Sequence, residues 1–265
     1  MAEIHPTAIV ADGAQIADDV VIGPYTIIGA NVSIAEGGKL HSHVVVDGNT
    51  RIGKNVEIFP FAAVGLIPQD LKFGGEDVGT EIGDNCNIRE YVTINPGTKG
   101  GGAVTRIGNN VHMMVGAHVA HDCIVGDHVI LVNHATLAGH CVIGDHAIIA
   151  GMSAVIQFAR VGEHAFVGGM SGIENDVIPF GSALGNRAHL GGLNIVGLKR
   201  RGFAREQIHN LRRAYRMLFS DEGTMSERVD DVAEMFSDDE NVMKIVDFIR
   251  ADTKKALCTP RTHKD

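Results

Sequence analysis

Residues 107–143 read IGNNVHMMVGAHVAHDCIVGDHVILVNHATLAGHCVI, and the spacing of their aliphatic side chains decides the fold. Steps of six from Ile107 land on Met113, Val119, Val125, Leu131, Leu137 and Ile143, then continue through Ile149, Val155, Val161 and Val167 to Ile173. The same step from Ile4 passes through Val10, Ile16, Ile22, Ile28, Ile34, Leu40, Val46, Ile52 and Ile58 to Val64. Four residues after these positions lies a second track of small or β-branched residues, among them Ala8, Ala14, Val20, Thr26, Ala117, Cys123, Ala135, Cys141, Ala147, Ser153 and Ala159. Neither a helix nor an ordinary strand has a period of six. Two inward positions per six residues describe a short strand and a corner. That is the pattern of a parallel β-helix, in which each rung buries its side chains against the rungs above and below.

Two segments leave the track, residues 66–81 (LIPQDLKFGGEDVGTE) and 96–106 (PGTKGGGAVTR), with Ile82, Ile88 and Ile94 in phase between them. In a solenoid such insertions become loops on one side, often the binding side. After Pro179 the pattern stops, and residues 180–198 read as irregular chain. From Ala204 the period becomes helical: Ile208, Leu211, Tyr215 and Leu218 form one stripe, Val229, Val232, Ala233 and Phe236 a second, Val242, Ile245, Val246 and Ile249 a third. The expected organisation is therefore a repeat coil over residues 1–180 and a connecting segment with three helices over 181–265. The helices could cover the open end of the coil, whose bare strand edge would otherwise invite pairing with other chains.

Composition agrees. The 265 residues include 33 glycines, no tryptophan and 5% aromatics, suited to tight turns around small and branched side chains. No apolar run reaches the ~18 residues of a membrane span, which speaks against membrane insertion. The first ten residues lack a signal-peptide pattern, and four cysteines without a CxxC pair suggest neither a disulfide scaffold nor a zinc ribbon, so a cytoplasmic location is expected. Cys123 and Cys141 sit on the small inward track and read as packing residues. A net charge of −9 disfavours nucleic acid as a partner. Against it, residues 199–216 carry seven basic residues (Lys199, Arg200, Arg201, Arg205, Arg212, Arg213, Arg216) and a single acid, Glu206. Such a patch fits an acidic protein, a phosphopantetheine phosphate or a nucleotide diphosphate.

With three hexapeptides to a turn, residues eighteen apart stack at ~4.8 Å. His121, Gly139 and Gln157 then share one column, and Asp122, His140 and Phe158 the next, on an exposed corner. His128, His146 and His164 form another column after Gly126-Asp127, Gly144-Asp145 and Gly162-Glu163, which reads as a solvated corner without a catalytic role. His134 and His189 read as structural.

The motifs HVAHDC (118–123), TLAGHC (136–141), QDLK (69–72), IRE with VTIN (88–95) and GLKRRGF (197–203) together resemble the UDP-N-acetylglucosamine acyltransferase family of the lipid A pathway. The resemblance covers nearly the whole chain. It implies a left-handed β-helix, a homotrimer with active sites between subunits, and transfer of an (R)-3-hydroxyacyl group from acyl carrier protein to the 3-position of the nucleotide sugar. No metal and no cofactor are implied, the carrier's phosphopantetheine being part of a co-substrate. By the same resemblance His121 is the general base, Asp122 orients or polarises it, and the Gly139 N–H is the oxyanion donor. His118 and His140 line the sugar site, and Asp70 and Lys72 contact sugar and acyl donor. Gln157 and Asn194 lie near the nucleotide, Arg200 and Arg201 take its phosphates, and Gly169 is the ruler of the acyl groove. Position 169 lies 48 residues past His121, about 2.7 turns or roughly 13 Å along the axis. With glycine there, an acyl chain of about twelve to fourteen carbons is expected, at ~1.25 Å per carbon.

The sequence departs from the family where its members carry histidine, at Asn95 and Ile156, and where they carry glutamate, at Val196. Those departures leave open the 3-amino analogue of the sugar as acceptor. A second reading, a metal-dependent lyase of the carbonic anhydrase type, would hold zinc with imidazoles from neighbouring rungs. The His121 column offers glycine and glutamine instead.

Overall fold

The computed structural model describes residues 1–251 and 253–261. Among the described residues, its first two thirds are a coil of two- to four-residue parallel strands in three sheets, the second of nine and the third of eight strands, the first reaching eleven by the addition of two strands beyond residue 180. Consecutive strands pass from the first face to the second and then the third, so each strand pairs with the one a full turn later: Ile4 opposes Ile22, Ile28 opposes Val46, and Leu137 opposes Val155. The inserted segments lengthen single turns without disturbing register, since Val64 still opposes Ile94 and Ile82 opposes Ile107. Both segments leave from the end of a second-face strand and return as a third-face strand. They therefore project from the same corner, here the second/third corner.

The six-residue walk is the core. Ile22, Ile58, Ile88, Met113, Leu131, Leu137 and Ile149 are fully buried, and the small track fills the corners with Ala62, Ala117, Cys123, Ala135, Cys141 and Ala147. A larger side chain on that track would meet the rung above, because interiors are close-packed. All four cysteines are buried and unpaired by disulfide, and burial pushes the Cys86 and Cys258 thiols up to about 11. Corners turn through left-handed backbone. Tyr25, His43, Phe61, Tyr91, His134, Met152 and Met170 mark one edge, and Asn85, Asn110, His128, His146 and His164 another, all with φ between 54° and 67°. Each such residue costs of order 1 kcal/mol, offset by the burial of the rung it closes.

Residues 180–198 are not irregular. Phe180, with no exposed surface, plugs the end of the coil, and Gly181–Leu184 pairs antiparallel with His189–Leu193. Helix α1, Ile195–Arg200, follows directly. Three glycines within its two strands erase the alternation that would have marked them, and α1 is too short to display a helical period. The three expected helices are α2 (Arg205–Leu218), α3 (Met225–Met235) and α4 (Glu240–Arg250), burying Ile208, Leu211 and Leu218, Val229 and Val232, and Val242, Ile245 and Val246. Lys244 Nζ meets Glu163 Oε1 at 2.8 Å and Arg160 donates to the Phe248 carbonyl at 3.0 Å, fixing α4 to the last rungs. The tail extends the coil's end: Asp176 N–H donates to the Ala256 carbonyl, and Cys258 N–H to the Asp176 carbonyl. Among the described residues no helix is long and apolar enough to cross a membrane.

Candidate active site

His121 and Asp122 occupy the second/third corner, between the strands His118–Val119 and Ile124–Val125. Neighbours on a strand point to opposite faces. Here Asp122 has φ 60°, and that left-handed turn brings its carboxylate back to its neighbour. His121 Nδ1 lies 2.8 Å from Asp122 Oδ2, and since a carboxylate can only accept, the neutral imidazole carries its proton on Nδ1 and leaves the Nε2 lone pair free. The Asp122 side chain has no exposed surface while His121 keeps 17% of its own. Burial sits on the anchor and exposure on the imidazole.

The 96–106 loop makes that burial possible. Thr98 donates its N–H to Asp122 Oδ1 at 2.8 Å and its hydroxyl to Oδ2 at 2.6 Å, and the Asp122 N–H donates to Thr105 Oγ1 at 2.8 Å. Sequence reading missed both threonines. The signal was present only as an insertion leaving the track one turn before His121.

His140 stands one rung on, its ring perpendicular to that of His121 at 5.0 Å and stacked on Phe158 at 4.4 Å. Burial, aided by His121 and Lys254 and opposed by Asp122 and Asp70, holds His140 below the usual imidazole range. Its Nδ1 is 3.8 Å from Asp122 Oδ2, beyond hydrogen-bond length. His118, on the second face, shares a hydrogen bond with Thr93 Oγ1 at 2.7 Å, and burial with His121 nearby lowers its pKa. Gly139 makes room for the imidazole: a Cβ there would stand 2.5 Å from His121 Cε1 and 2.6 Å from Nε2. Gln157 completes the column on an exposed corner. Asp70 lies on the first loop within electrostatic reach of His140, while Lys72 is exposed.

The remaining candidates fall elsewhere on the coil. Gly169 follows the first-face strand Phe166–Val167 and so sits on the first/second corner, exposed, where a Cβ would make an ordinary contact with the Gly151 carbonyl oxygen at 3.5 Å. A spacing of 2.7 turns is not a whole number, and axial arithmetic alone misses the lateral offset. Arg201 Nη2 donates to the His146 carbonyl at 2.8 Å on the third/first corner, with Nη1 buried and unpartnered. Arg200 beside it is exposed. Asn194 caps α1, accepting from Gly197 N–H at 3.1 Å and donating to the His164 carbonyl at 2.9 Å. Within one chain it anchors the arginines to the coil. Asn95 is buried, donating to the Leu66 carbonyl at 3.3 Å, whereas Ile156 and Val196 are exposed.

The histidine column at the third/first corner stacks as expected, His128 on His146 and His146 on His164 at 4.6 Å each, but it is not uniformly solvated. Phe203 packs edge-on against His164, and burial, with His146, Arg201 and Lys244 adding to it, pushes the His164 pKa down to about 4. Away from His121, a cleft of about 420 Å³ is lined by Arg213, Arg216, Arg228, Glu222 and Asp231. As for metals, His121, Asp122 and His140 bring one donor atom each within 4.8 Å of one another. Both Asp122 oxygens are already held by Thr98, and Oδ2 by His121 as well, an arrangement that orients an imidazole rather than presenting a free carboxylate.

A hexapeptide coil with an imidazole steadied at its corner by a buried carboxylate defines a hexapeptide-repeat transferase, and residues 105–139 match the family described as bacterial transferase hexapeptide (six repeats). Residues 176–258 match the second domain of UDP-N-acetylglucosamine O-acyltransferase. An acyl-carrier-protein-dependent UDP-N-acetylglucosamine O-acyltransferase of Azorhizobium caulinodans is 53% identical over 260 residues, covering 98% of this chain and 96% of the relative. One of Caulobacter vibrioides is 52% identical, covering 97% of this chain and 98% of the relative. The UDP-N-acetylglucosamine acyltransferase structure of Francisella novicida superposes with a TM-score of 0.94 at 38% identity, covering 98% of this chain and 95% of that one. The chain belongs to the UDP-N-acetylglucosamine O-acyltransferase family, and its coil is left-handed.

Proposed function

We propose that this protein transfers an (R)-3-hydroxyacyl group from acyl carrier protein to the 3-hydroxyl of UDP-N-acetylglucosamine, the first step of lipid A biosynthesis. The observation that carries the reading is the His121–Asp122 pair, with Nδ1 engaged and Nε2 free, in a chain of this family. His121 Nε2 accepts the sugar hydroxyl's proton as its oxygen attacks the thioester carbonyl, and the Asp122 carboxylate stabilises the resulting imidazolium. The Gly139 N–H donates to the developing oxyanion. As the tetrahedral intermediate collapses, the C–S bond breaks and the imidazolium returns its proton to the departing phosphopantetheine thiolate. The reaction needs neither a covalent enzyme intermediate nor a metal or cofactor. His118, His140, Asp70 and Lys72 hold sugar and acyl donor, Arg200 and Arg201 the phosphates, and Gln157 and Asn194 the nucleotide end.

In this reading the coil of residues 1–180 supplies the chemistry and residues 181–265 the anion-binding part. The exposed arginines of α2 receive the acidic carrier, with the cleft around Arg213 and Arg216 as its seat. The active protein is a cytoplasmic homotrimer with sites between subunits. Supporting this, the assigned residues of one chain lie on three different corners, and the second face exposes Ile9 and Ile27 at 63% and 44%. Gly169 limits the acyl chain where a groove between copies brings the first/second corner to the second/third. Incubation with UDP-N-acetylglucosamine and a series of 3-hydroxyacyl carrier proteins, with products weighed by mass spectrometry, tests the reaction. A 3-O-acylated nucleotide sugar is expected, and its absence with every donor would overturn the reading. Light scattering should return three times the 28.2 kDa chain mass.

A further inference from the structure

The second inserted loop closes over the carboxylate that steadies His121. Thr98 is buried to 6% exposure, and its N–H and hydroxyl take one Asp122 oxygen each, at 2.8 and 2.6 Å. Its own carbonyl accepts the N–H groups of Gly101 and Ala103, both at 3.0 Å, so the short turn Lys99–Gly101 hangs from the residue that grips Asp122. Gly101 approaches the same carboxylate so closely that a Cβ there would overlap the carboxyl group itself. Thr105, at the loop's return, accepts the Asp122 N–H at 2.8 Å. One loop thus holds Asp122 at both ends, by carboxylate and by backbone.

We propose that Thr98 is a positioning residue for the acyl transfer, acting through Asp122. Its two donors lock the carboxylate in the one orientation that keeps His121 as the Nδ1–H tautomer, with Nε2 open to the sugar hydroxyl. The lock has a specific competitor to exclude. His140 Nδ1 stands 3.8 Å from the same Oδ2, and a modest rotation of an unheld carboxylate would shift its partnership from His121 to His140. The Thr98 hydroxyl at Oδ2 and the Thr98 N–H at Oδ1 oppose that rotation together. Hydrogen bonds to an ionised acceptor are the strong ones, and two from one residue also fix direction.

The proposal rests on the reaction proposed above only for its kinetic consequence; the tautomer is independent of it. The test uses the full chain labelled with ¹⁵N-histidine, whose imidazole nitrogens report the tautomer directly, with His121→Gln identifying the His121 signals. The wild type is expected to show His121 protonated at Nδ1. Thr98→Val, which keeps the shape and removes the hydroxyl donor, should mix the tautomers and lower kcat about tenfold or more with KM within about twofold. Thr98→Ser should restore both the single tautomer and kcat. Gly101→Ala, which keeps the Thr98 side chain but sets a methyl against the Asp122 carboxylate and so pushes the loop off it, should reproduce the Val variant's spectrum, and it decides the matter with Thr98→Ser if Thr98→Val fails to fold. A wild-type tautomer and kcat in Thr98→Val, or equal losses in the Ser and Val variants, would overturn the proposal. Mixed tautomers in Thr98→Val alongside a wild type that acylates no sugar would refute the proposed reaction and leave the lock standing.

Discussion

At the third/first corner His128, His146 and His164 stack face to face, 4.6 Å apart and within 13° of parallel, whereas at the second/third corner His121 and His140 meet at 90° with their centroids 5.0 Å apart. Both corners belong to the same repeat, and both place an imidazole in successive rungs. What separates them is the regularity of the chain below. From Asn110 onward the third/first corner repeats every eighteen residues, so like side chains lie on like and share one another's faces. The second/third corner is where residues 66–81 and 96–106 leave the coil, and the rung before His121 offers no ring to stack on. It offers Thr98 and a buried carboxylate instead. Uninterrupted repeats build columns, and broken ones build sites.

Removing His121 should separate the corners most sharply. His121→Ala is expected to lower kcat by at least ~10²-fold, the lower range for a positioned general base, while nucleotide-sugar binding changes little. His146→Ala should retain near-wild-type turnover, and equal losses in the two variants would erase the distinction. Steady-state kinetics with calorimetric binding make the comparison.

Gly139→Ala attacks the same corner without removing a functional group. Its methyl would stand 2.5 Å from His121 Cε1, so the imidazole must tilt. A loss of up to ~10² in kcat is expected, since a displacement near 1 Å at a reacting group costs about that much. A crystal structure of the variant should show the ring displaced, and an unmoved ring with full activity would mean the space is not needed.

The opposite corner should answer to acid through stability. His164 has its pKa depressed from 6.5 to about 4 by burial, so between those values the unfolded chain binds more protons than the folded one. Stability is therefore complete above about pH 6.5 and falls progressively as the pH drops towards 4. Thermal unfolding across that window should show a declining midpoint. His164→Phe, a residue type that already holds left-handed corners at Phe61, Phe158 and Phe180, should flatten the decline. An unchanged slope would mean that other groups carry the acid sensitivity.

The smallest effect is expected from His128→Ala, at the exposed end of the stack. Stability should change by no more than about 0.5 kcal/mol in urea titrations and activity by less than about twofold. A larger effect would show that the column acts as a unit rather than as separate layers.

The amino-acid sequence by itself determined the coil. A period of six is a property of side-chain order, and burial of Ile22, Leu40, Ile58, Ile88, Met113, Leu131 and Ile149 on one face follows from it. It determined which residues share a column, because an eighteen-residue turn is arithmetic, and it marked His121, Asp122 and His140 as neighbours. Four things waited for the tertiary structure. The Gly181–Leu184 and His189–Leu193 hairpin has no periodicity to read and forms because Phe180 ends the coil and leaves an edge to be paired. Convergence of His121 with Asp122 depends on one left-handed dihedral, and the grip of Thr98 on Asp122 on how a glycine-rich loop folds back, neither of which is encoded in spacing. Nor could the repeat place Arg201: the 48 residues from His121 to Gly169, two turns and twelve residues, already put Gly169 on a different corner, but Arg201 lies beyond the repeat and only the folded chain brings its guanidinium back to the His146 carbonyl. Height along the axis and angle around it are additive only while the six-residue period runs; past its end, contacts between distant segments decide position.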